Sequence, residues 1–481
     1  MLLKDLLACV EAVEIKGNLH TEIGGIAYDS RKVQKGDLFV CIAGFKVDGH
    51  DFIAQAVEKG AAAVVIEKDV EEAPIPMVKV INARSALAFI AAAFFDHPSS
   101  KFKLIGVTGT NGKTTTTYLI KTILALQGYK VGLIGTNQNM IGDEVIPAER
   151  TTPESLELQQ LFSRMVREQV DYVVMEVSSH SLALHRVDGC AFEVGIFTNL
   201  TQDHLDFHIT MENYLKAKTK LFTRCNTGIV NVDDSSSPYI LEHGTCKMVT
   251  IGIEYDADIR AKETIVSEKG VQFQIDTAQG SANMALGIPG KFSIYNALGS
   301  IGACMALGLD LRQIKEGLRS ARGVPGRAQV VETGRPFTVL IDYAHTPDGL
   351  KNIIGTVKGF AKGRVVTLFG CGGDRDCKKR PVMGKVAGEG SDFCIVTSDN
   401  PRTEEPMRII NHILEGMKET DCPHVVIENR LAAIEYALQN AQKDDVIVLA
   451  GKGHETYQEI NGKKYPFHEE EIVTGLLEKM Q

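Results

Sequence analysis

A glycine-rich turn at residues 106–117 constrains the fold of this chain more than any other feature of its sequence. An apolar run at 102–107 precedes the turn, and a segment with apolar residues at helical spacing continues from Thr114 towards Gly128. This order of strand, turn and helix brings backbone N–H groups and the positive end of a helix to one place, where they can bind phosphate. The alternative is an ordinary glycine-rich connection between a strand and a helix.

The spacing of the turn differs from that of the usual nucleotide-binding motif. A strict motif has a glycine five residues before Gly112, where this chain has Val107, so the loop begins at Gly109. Lys113 is expected to reach the outer phosphates, and Thr114 is expected to offer its hydroxyl to Mg²⁺. The sequence therefore predicts an ATP-using enzyme. The residues predicted to hold the nucleotide phosphates are Gly109, Thr110, Asn111, Gly112, Lys113, Thr114 and Thr115.

Length and composition limit the classes of protein that this chain can represent. Its 481 residues predict about three domains, and no window approaches the ~18 consecutive apolar residues of a membrane span. The first residues lack a basic region followed by a cleavage site, so a cytoplasmic location is expected. A formal net charge of −9 argues against general nucleic-acid binding. An anionic substrate must therefore be bound by local groups of Arg, Lys and backbone N–H.

Apolar runs alternate with segments of helical periodicity along most of the chain. The first set of predicted strands lies at 103–107, 131–134, 171–177, 194–198 and 228–231. The second set lies at 337–341, 365–369, 393–397 and 446–450, with predicted helices at 406–418 and 430–441. This alternation is typical of parallel α/β sheets. The segment 271–275 alternates apolar and polar residues instead, which indicates an antiparallel strand.

We therefore predict an α/β fold with three domains. A Pro/Ser cluster at 97–100 and a Gly/Pro segment at 323–327 are the candidate boundaries. The predicted domains are a small N-terminal α/β domain at 1–98, a central P-loop-type parallel-sheet domain at 99–327 and a C-terminal Rossmann-like doubly wound domain at 328–481.

Polar clusters follow the carboxyl ends of six predicted strands, where open α/β sheets bind their ligands. They lie at 176–180, 198–204, 342–345, 372–375, 399–402 and 451–455. Any one cluster could be ordinary loop chemistry, but six in equivalent positions predict a ligand site.

Two kinds of side chain in these clusters indicate ligand chemistry. Glu176 and His204 are candidate Mg²⁺ ligands; the alternatives are a salt bridge at a strand end and a structural histidine. Arg375 and Arg402 can each bind a carboxylate through two hydrogen bonds. Because Asp399 and Glu455 carry the opposite charge, the set predicts a zwitterionic amino acid as ligand. Surface ion pairs are the alternative. 

As a set, these motifs resemble those of the Mur ligases of peptidoglycan synthesis. The resemblance rests on Gly-Thr-Asn-Gly-Lys-Thr at 109–114, Glu-Val-Ser-Ser-His at 176–180, Asn-Leu-Thr-Gln-Asp-His at 199–204, Asp-Tyr-Ala-His-Thr-Pro at 342–347 and Asp-Asn-Pro-Arg at 399–402. It begins at Asp-Ser-Arg, 29–31, and Asp-Gly-His, 48–50, and covers nearly the whole chain.

The motif at 399–402 resembles that of the members that add meso-2,6-diaminopimelate to UDP-N-acetylmuramoyl-L-alanyl-D-glutamate. The resemblance implies an ATP-dependent, Mg²⁺-dependent amide ligase that works through an acyl phosphate, and we expect a monomer. A lysine-adding ligase is the nearest alternative. A nucleotide-dependent binding switch is the alternative from another class, and folylpolyglutamate synthetase lacks the Asp-Asn-Pro-Arg signature.

The resemblance also implies residue roles, with the UDP substrate bound by the N-terminal domain, ATP by the central domain and the amino acid by the C-terminal domain. Lys113, Glu176, His204 and Lys218 take the catalytic positions, and Thr114, Glu176, His204 and Lys218 take the metal positions. Further nucleotide contacts are Asn296, Arg327 and Asp342. Ser30 matches a uridine contact, and Thr151, Thr152, Ser178 and Arg186 match contacts to the muramoyl peptide. The diaminopimelate positions are Arg375, Asp399, Asn400, Pro401, Arg402, Gly451 and Glu455.

Three positions qualify this map. Lys218 matches a lysine that the family carbamylates with CO₂, whereas its sequence context alone indicates a solvated helix lysine. Leu184 stands where several members have a glutamine near the substrate, and Phe45 stands where some have a histidine beside the uridine. The two departures weaken the detailed substrate map and leave the ATP and amino-acid motifs intact.

Overall fold

A computed structural model describes residues 1–44, 47–267, 269–321 and 323–480, so Phe45 lies outside the described residues. Its strands form three open sheets and one small hairpin. None of the helices in these ranges combines the length and the hydropathy that crossing a bilayer requires.

The first sheet has five strands in the order β1-β5-β4-β3-β2, and only β1 is antiparallel to its neighbour. Its strands are β1 (Ala12–Lys16), β2 (Gly25–Ala27), β3 (Asp37–Val40), β4 (Ala63–Ile66) and β5 (Met77–Val80). The helices of this region are α1 (Leu3–Leu6), α2 (Ile53–Glu58) and α3 (Ala83–Phe94). The Asn82 side chain accepts a hydrogen bond from the N–H of Ser85 and so starts α3.

The second sheet has eleven strands in the order β16-β15-β14-β13-β12-β11-β6-β10-β7-β8-β9. Its strands are β6 (Lys103–Thr108), β7 (Val131–Ile134), β8 (Asn139–Ile141), β9 (Glu144–Ile146), β10 (Tyr172–Glu176), β11 (Phe192–Phe197), β12 (Cys225–Asn231), β13 (Lys247–Gly252), β14 (Ile259–Ser267), β15 (Gly270–Thr277) and β16 (Gly280–Leu286). The helices are α4 (Lys113–Leu126), α5 (Ser155–Arg167), α6 (Ser179–Ala183), α7 (Leu205–His208), α8 (Met211–Thr219), α9 (Ser237–His243), α10 (Lys291–Ala306) and α11 (Leu311–Ser320).

The strands from β7 to β14 in this order are parallel, and antiparallel strands extend the sheet at both ends. The strands predicted at 103–107, 131–134, 171–177, 194–198 and 228–231 are confirmed within a few residues, and so is the antiparallel strand at 271–275. The sequence analysis missed the short edge strands β8 and β9 and the strands β13, β14 and β16. Their mixed burial gives a weaker apolar signal than the buried central strands.

The third sheet has six strands in the order β17-β18-β22-β19-β20-β21, and β17 alone is antiparallel to its neighbour. Its strands are β17 (Gln329–Val331), β18 (Thr338–Asp342), β19 (Val365–Phe369), β20 (Phe393–Val396), β21 (His424–Val426) and β22 (Val446–Ala450), and β23 (Tyr457–Ile460) and β24 (Lys463–Pro466) form the hairpin. The helices are α12 (Pro347–Lys358), α13 (Lys379–Gly390), α14 (Pro406–Met417), α15 (Arg430–Gln439) and α16 (Glu469–Lys479). The predicted helices at 406–418 and 430–441 are thus confirmed as α14 and α15.

The order of the central strands positions the site. β6 lies between β10 and β11, so the glycine-rich turn after β6 lies between the residues that follow Glu176 and those that follow Phe197. β18 lies next to β22, and Asp342 pairs with Ala450 at the carboxyl ends of these strands. The α/β class and the three-sheet organisation agree with the prediction, and the domain limits at 98 and 327 stay a prediction.

One hydrophobic core spans the central and C-terminal sheets and includes Leu298, which is fully buried on α10. We expect Leu298→Ala to lower the free energy of unfolding by about 2–5 kcal/mol, because the truncated side chain leaves a cavity. Urea denaturation followed by far-ultraviolet circular dichroism measures the change. Leu126→Ala is the control, since Leu126 is 51% exposed and should change stability by less than about 0.5 kcal/mol. Equal losses in the two variants would contradict the core assignment.

Candidate active site

The glycine-rich turn needs glycine at two positions. Gly109 has φ 147° and Gly112 has φ 86°, values that side chains rarely adopt. A Cβ atom at Gly109 would collide with Oγ1 of Thr198, and one at Gly112 would collide with Oδ1 of Asn296. Thr198 Oγ1 also donates to the carbonyl of Asn111 at 2.6 Å. The turn is therefore packed against the ends of neighbouring elements, and its backbone has one defined course.

Lys113 begins α4 and folds back over the turn. Its Nζ donates to the carbonyl oxygens of Gly109 at 3.0 Å and Thr110 at 2.7 Å. Burial lowers the pKa of Lys113. The ammonium group thus lies within the turn and can be shared with an anionic oxygen without a large movement of the side chain.

Glu176, at the end of β10, is buried and surrounded by oxygen and nitrogen donors. Its Oε1 accepts hydrogen bonds from Thr114 Oγ1 at 3.0 Å and from the N–H of Thr136 at 2.9 Å. Its Oε2 accepts one from Thr136 Oγ1 at 3.0 Å. A carboxylate beside hydroxyl oxygens is a donor set that suits a hard cation such as Mg²⁺. Within the described ranges there is no group of three or more His, Cys, Asp and Glu side chains that could hold a metal by itself.

His204 lies near this carboxylate edge on the short segment before α7. Its backbone is left-handed, with φ 54°, and its ring meets that of His180 edge-on at 4.8 Å between centroids. Burial lowers the pKa of His204, which favours the neutral imidazole that a metal ligand requires. Its Nε2 lies 3.3 Å from Oδ2 of Asp203.

Lys218 is buried on α8, so the sequence interpretation of a solvated helix lysine is wrong. Only 1% of the residue is exposed. Its Nζ donates to the carbonyl of Gly109 at 2.7 Å and lies 4.5 Å from the centre of the Tyr214 ring. Burial holds the pKa of Lys218 well below its usual value, and the charge of Lys113 lowers it further. Lys216, two residues away, is the solvated lysine and pairs with Glu212.

A cleft of about 350 Å³ separates the glycine-rich turn from the end of β18. Arg327 lies on this cleft with its guanidinium 4.7 Å from the centre of the Tyr343 ring. Asp342 accepts a hydrogen bond from the N–H of Ala328 at 2.7 Å, and burial raises its pKa. Asn111 Nδ2 also donates across the cleft to Oδ2 of Asp348 at 3.1 Å. The central and C-terminal sheets therefore meet over the turn, as a nucleotide site between two domains requires.

The residues predicted to contact the muramoyl peptide adjoin Glu176. Thr152 Oγ1 donates to the carbonyl of Glu176 at 2.8 Å, and Thr151 Oγ1 lies 3.0 Å from Thr136 Oγ1. The Ser178 side chain caps α6. Arg186 Nη1 donates to the carbonyl of Thr152 at 3.1 Å.

Ser30 lies between β2 and β3 of the N-terminal sheet. Among the described residues it does not line the cleft. Its hydroxyl donates to Oε1 of Gln55 at 2.7 Å. Leu184 ends α6.

The predicted amino-acid residues form a second group, centred on Asn400. Its Nδ2 donates to Glu455 Oε2 at 2.7 Å, and its Oδ1 accepts from Lys452 Nζ at 3.1 Å. Lys452 also donates to Glu455 Oε2 at 3.1 Å and is fully buried. Asp399 Oδ2 is buried and has no hydrogen-bond partner among the described residues. A Cβ at Gly451 would lie 2.6 Å from that oxygen.

The two predicted arginines lie at the edge of this group. Arg402 has φ 52° and donates through Nη1 to the carbonyl of Gly373 at 2.7 Å and through Nε to Glu459 Oε2 at 3.2 Å. Arg375 donates to the carbonyl of Asp374 at 3.1 Å, and the carbonyl of Pro401 approaches Gly373 closely. The alternative interpretation, an ion pair within the protein, therefore holds for the Nε of Arg402, which pairs with Glu459.

The predicted amino-acid residues around Asn400 adjoin the nucleotide cleft. The N–H of Gly451 donates to the carbonyl of Asp342 at 3.0 Å, so the amino-acid group begins one strand away from the nucleotide cleft.

Sequence reasoning missed Thr136, Asp348 and Lys452 as site residues. Thr136 follows the end of β7 and could have been found by the strand-end rule, as could Lys452 within 451–455. Asp348, inside α12, carries no such signal.

Three family models match this chain. They are the Mur ligase family, catalytic domain, at residues 22–95, the Mur ligase middle domain at 107–304, and the Mur ligase, glutamate ligase domain, at 326–453.

Similar proteins match along nearly the full length. A UDP-N-acetylmuramoyl-L-alanyl-D-glutamate--2,6-diaminopimelate ligase from Caldanaerobacter subterraneus subsp. tengcongensis is 55% identical to this chain over 99% of each of the two chains. UDP-N-acetylmuramoyl-L-alanyl-D-glutamate--2,6-diaminopimelate ligase 1 from Clostridium acetobutylicum is 49% identical over 100% of each of the two chains. A solved structure of such a ligase has a TM-score of 0.75 and 30% identity over 100% of this chain and 99% of its own. A Mycobacterium tuberculosis folylpolyglutamate synthase bound to ADP and AMPPCP has a TM-score of 0.63 and 16% identity over 82% of this chain and 94% of its own, which shows the fold alone.

His454 makes stability depend on pH. Burial lowers the pKa of His454 from 6.5 to about 4, and the charges of Arg327 and His345 lower it further. The unfolded chain binds this proton below pH 6.5, whereas the folded chain does so only near pH 4. The free energy of unfolding should therefore decrease as the pH is lowered from 6.5 to 4. Urea denaturation across this range should show a shallower fall for His454→Gln. His243→Gln, at an exposed site on α9, should keep the original slope, and identical slopes in all three proteins would contradict the assignment.

Proposed function

We propose that this chain, which belongs to the Mur ligase family, is an ATP-dependent, ADP-forming ligase that joins meso-2,6-diaminopimelate to UDP-N-acetylmuramoyl-L-alanyl-D-glutamate in peptidoglycan precursor synthesis. The observation that carries the proposal is the adjacency of two sites. The phosphate-binding turn lies on one side of the cleft and Asp342 on the other. The Asn400 group, which carries both signs of charge, adjoins the Asp342 side, because the N–H of Gly451 donates to the carbonyl of Asp342. A cytoplasmic location and a monomeric state stay predictions.

The chemistry explains why the two sites adjoin. A carboxylate does not form an amide with an amine in water unless it first gains a leaving group. The γ-carboxylate of the D-glutamate attacks the γ-phosphorus of ATP in line, which gives an acyl phosphate and ADP. The neutral amine of diaminopimelate then attacks the acyl carbon to form the C–N bond. Phosphate leaves with the electron pair of the broken C–O bond, and the nitrogen gives up one proton as the amide forms. Both steps need the reactants held close together.

The central domain supplies the groups for the first step. Lys113 neutralises negative charge that develops on the transferred phosphoryl group, and its ammonium already lies within the turn. Thr114, Glu176 and His204 would hold Mg²⁺, which when bound shields the phosphate charge. Thr114 Oγ1 and Glu176 Oε1 lie 3.0 Å apart and offer hard oxygen donors. On the cleft, Arg327 and Asp342 would contact the nucleotide, with Asn296 behind the turn.

Lys218 would act as a carbamate. Its buried ammonium would repel a metal ion, whereas an amine that has reacted with CO₂ carries a negative charge and can approach one. The lowered pKa of Lys218 supports this proposal, because only the neutral amine reacts with CO₂.

The Asn400 group would bind diaminopimelate. The unpartnered Oδ2 of Asp399 and the carboxylate of Glu455 suit an ammonium group. Arg402 would bind the carboxylate of the distal amino-acid centre, with Arg375 beside it. Ser30, Thr151, Thr152, Ser178 and Arg186 would contact the UDP-muramoyl peptide.

An amino-acid panel tests the proposal. ADP release is measured with ATP, Mg²⁺ and UDP-N-acetylmuramoyl-L-alanyl-D-glutamate, with meso-diaminopimelate, L-lysine or no amino acid added. We expect turnover with diaminopimelate only. Preference for lysine would identify the lysine-adding alternative. ADP release that is independent of both acceptor and amino acid would instead favour the nucleotide-dependent switch.

Arg402 should control the affinity for the amino acid. We expect Arg402→Ala to raise the KM for diaminopimelate by about 10- to 100-fold, which corresponds to ~1.5–3 kcal/mol for a charged hydrogen bond. The KM for ATP should change little. Arg408→Ala is the matched control, because Arg408 is exposed on the neighbouring helix α14. An unchanged KM for diaminopimelate in Arg402→Ala would remove Arg402 from the site.

A further inference from the structure

Three guanidinium groups converge on one carboxylate between the N-terminal and central sheets. Glu154 Oε1 lies 2.7 Å from Arg186 Nη2 and 2.9 Å from Arg150 Nη1. Glu154 Oε2 lies 3.9 Å from Nη1 of Arg84, which comes from α3 of the N-terminal region. We call these four residues the arginine cluster.

The arginine cluster has more positive charge than its own carboxylate balances. Three cations face the carboxylate of Glu154. Nearby, Asp188 is matched by a cation, whereas Glu157 has only a neutral partner and counts as a second anion, so one positive charge stays unbalanced. Glu157 accepts the hydroxyl of Tyr28 at 2.8 Å, and Asp188 pairs with Arg224 at 2.9 Å. A surplus of charge in a partly buried place is costly unless a counter-ion joins it.

Arg186 is the most buried member, with 9% of the residue exposed. Its Nε is buried and has no hydrogen-bond partner among the described residues. Burial lowers the pKa of Arg186, and the charges of Arg150 and Arg84 lower it further, against the effect of Glu154. The cluster thus contains a buried, unused donor as well as surplus charge, and both point to an anionic ligand.

Two helix ends add to this positive potential. Glu154 immediately precedes α5, and Arg84 is the second residue of α3. The N-terminal ends of helices carry a partial positive charge. The Glu154 side chain makes no capping hydrogen bond to α5 in the described structure, because its oxygens face the arginines instead.

The arginine cluster adjoins the proposed reaction centre. Arg186 donates to the carbonyl of Thr152, and Thr152 Oγ1 donates to the carbonyl of Glu176. A ligand held by the cluster is therefore two hydrogen bonds from the backbone of Glu176, the residue whose carboxylate would bind Mg²⁺. The sugar-peptide substrate carries oxyanions at both ends of its length, a diphosphate and the carboxylates of its glutamate.

We propose that Arg84 and Arg150 act with Arg186 to bind an oxyanion of the UDP-muramoyl peptide, and that Glu154 holds the three guanidinium groups in place until the oxyanion arrives. This inference rests on the proposed function. It adds two arginines to the substrate site, and Arg84 makes the N-terminal region part of the same anion site as the central domain.

The test compares the double variant Arg84→Met, Arg150→Met with the wild-type full chain. Isothermal titration calorimetry measures the binding of UDP-N-acetylmuramoyl-L-alanyl-D-glutamate and of UDP. Methionine keeps much of the length of the side chain and removes its charge, and circular dichroism checks the fold. Arg312→Met is the matched control, since Arg312 is exposed on α11, away from the cluster, and pairs with Glu316 on the same helix.

We expect the double variant to bind the dipeptide substrate at least about tenfold more weakly, and the control to bind within about twofold of wild type. An equal loss for UDP identifies the diphosphate as the oxyanion, whereas a loss confined to the dipeptide substrate identifies a glutamate carboxylate. Unchanged affinities for both ligands would overturn the inference and leave the proposed function standing. A wild-type chain that binds neither ligand would overturn both.

Discussion

The carbonyl oxygen of Gly109 accepts hydrogen bonds from two lysine side chains, and the rest of the central site depends on this arrangement. Lys113 reaches it from the start of α4, and Lys218 reaches it from α8. One carbonyl oxygen thereby fixes the Nζ atoms of both lysines beside the turn, and the charge of Lys113 together with burial lowers the pKa of Lys218. The fold itself thus holds the Lys113 ammonium at the turn, where negative charge develops during phosphoryl transfer.

Parallel strands explain how distant parts of the chain contribute to one site. The ends of β6, β7, β10 and β11 bring together the turn, Thr136, Glu176 and Thr198. The ends of β18 and β22 bring Asp342 and Gly451 beside them in the third sheet. The site therefore depends on strand order, because these residues lie at the carboxyl ends of buried strands or directly after them.

The sequence predicted the buried strands and the strand ends at which many of the candidate site residues lie, while the roles of those residues stay predictions. Continuous apolar runs such as 103–107 and 365–369 identify their strands, and they place Glu176 at the end of β10 and Asp399 just after β20. Edge strands such as β9 escaped because their exposed side chains carry little apolar signal. The burial of Lys218 also escaped, since a helix in sequence does not reveal which face meets the turn. Arg84 and Arg186 are about a hundred residues apart in sequence and meet only through the packing of two sheets.

The buried group of Asn400, Lys452 and Glu455 has a consequence for how this enzyme can evolve. Lys452 fixes which end of the Asn400 amide faces Glu455, and the same ammonium balances the Glu455 carboxylate. Replacing any one of the three leaves a buried amide or charge without its match. Selection can therefore alter this corner only by exchanging its members together, so the three positions should covary among descendants that come to accept a different amino acid.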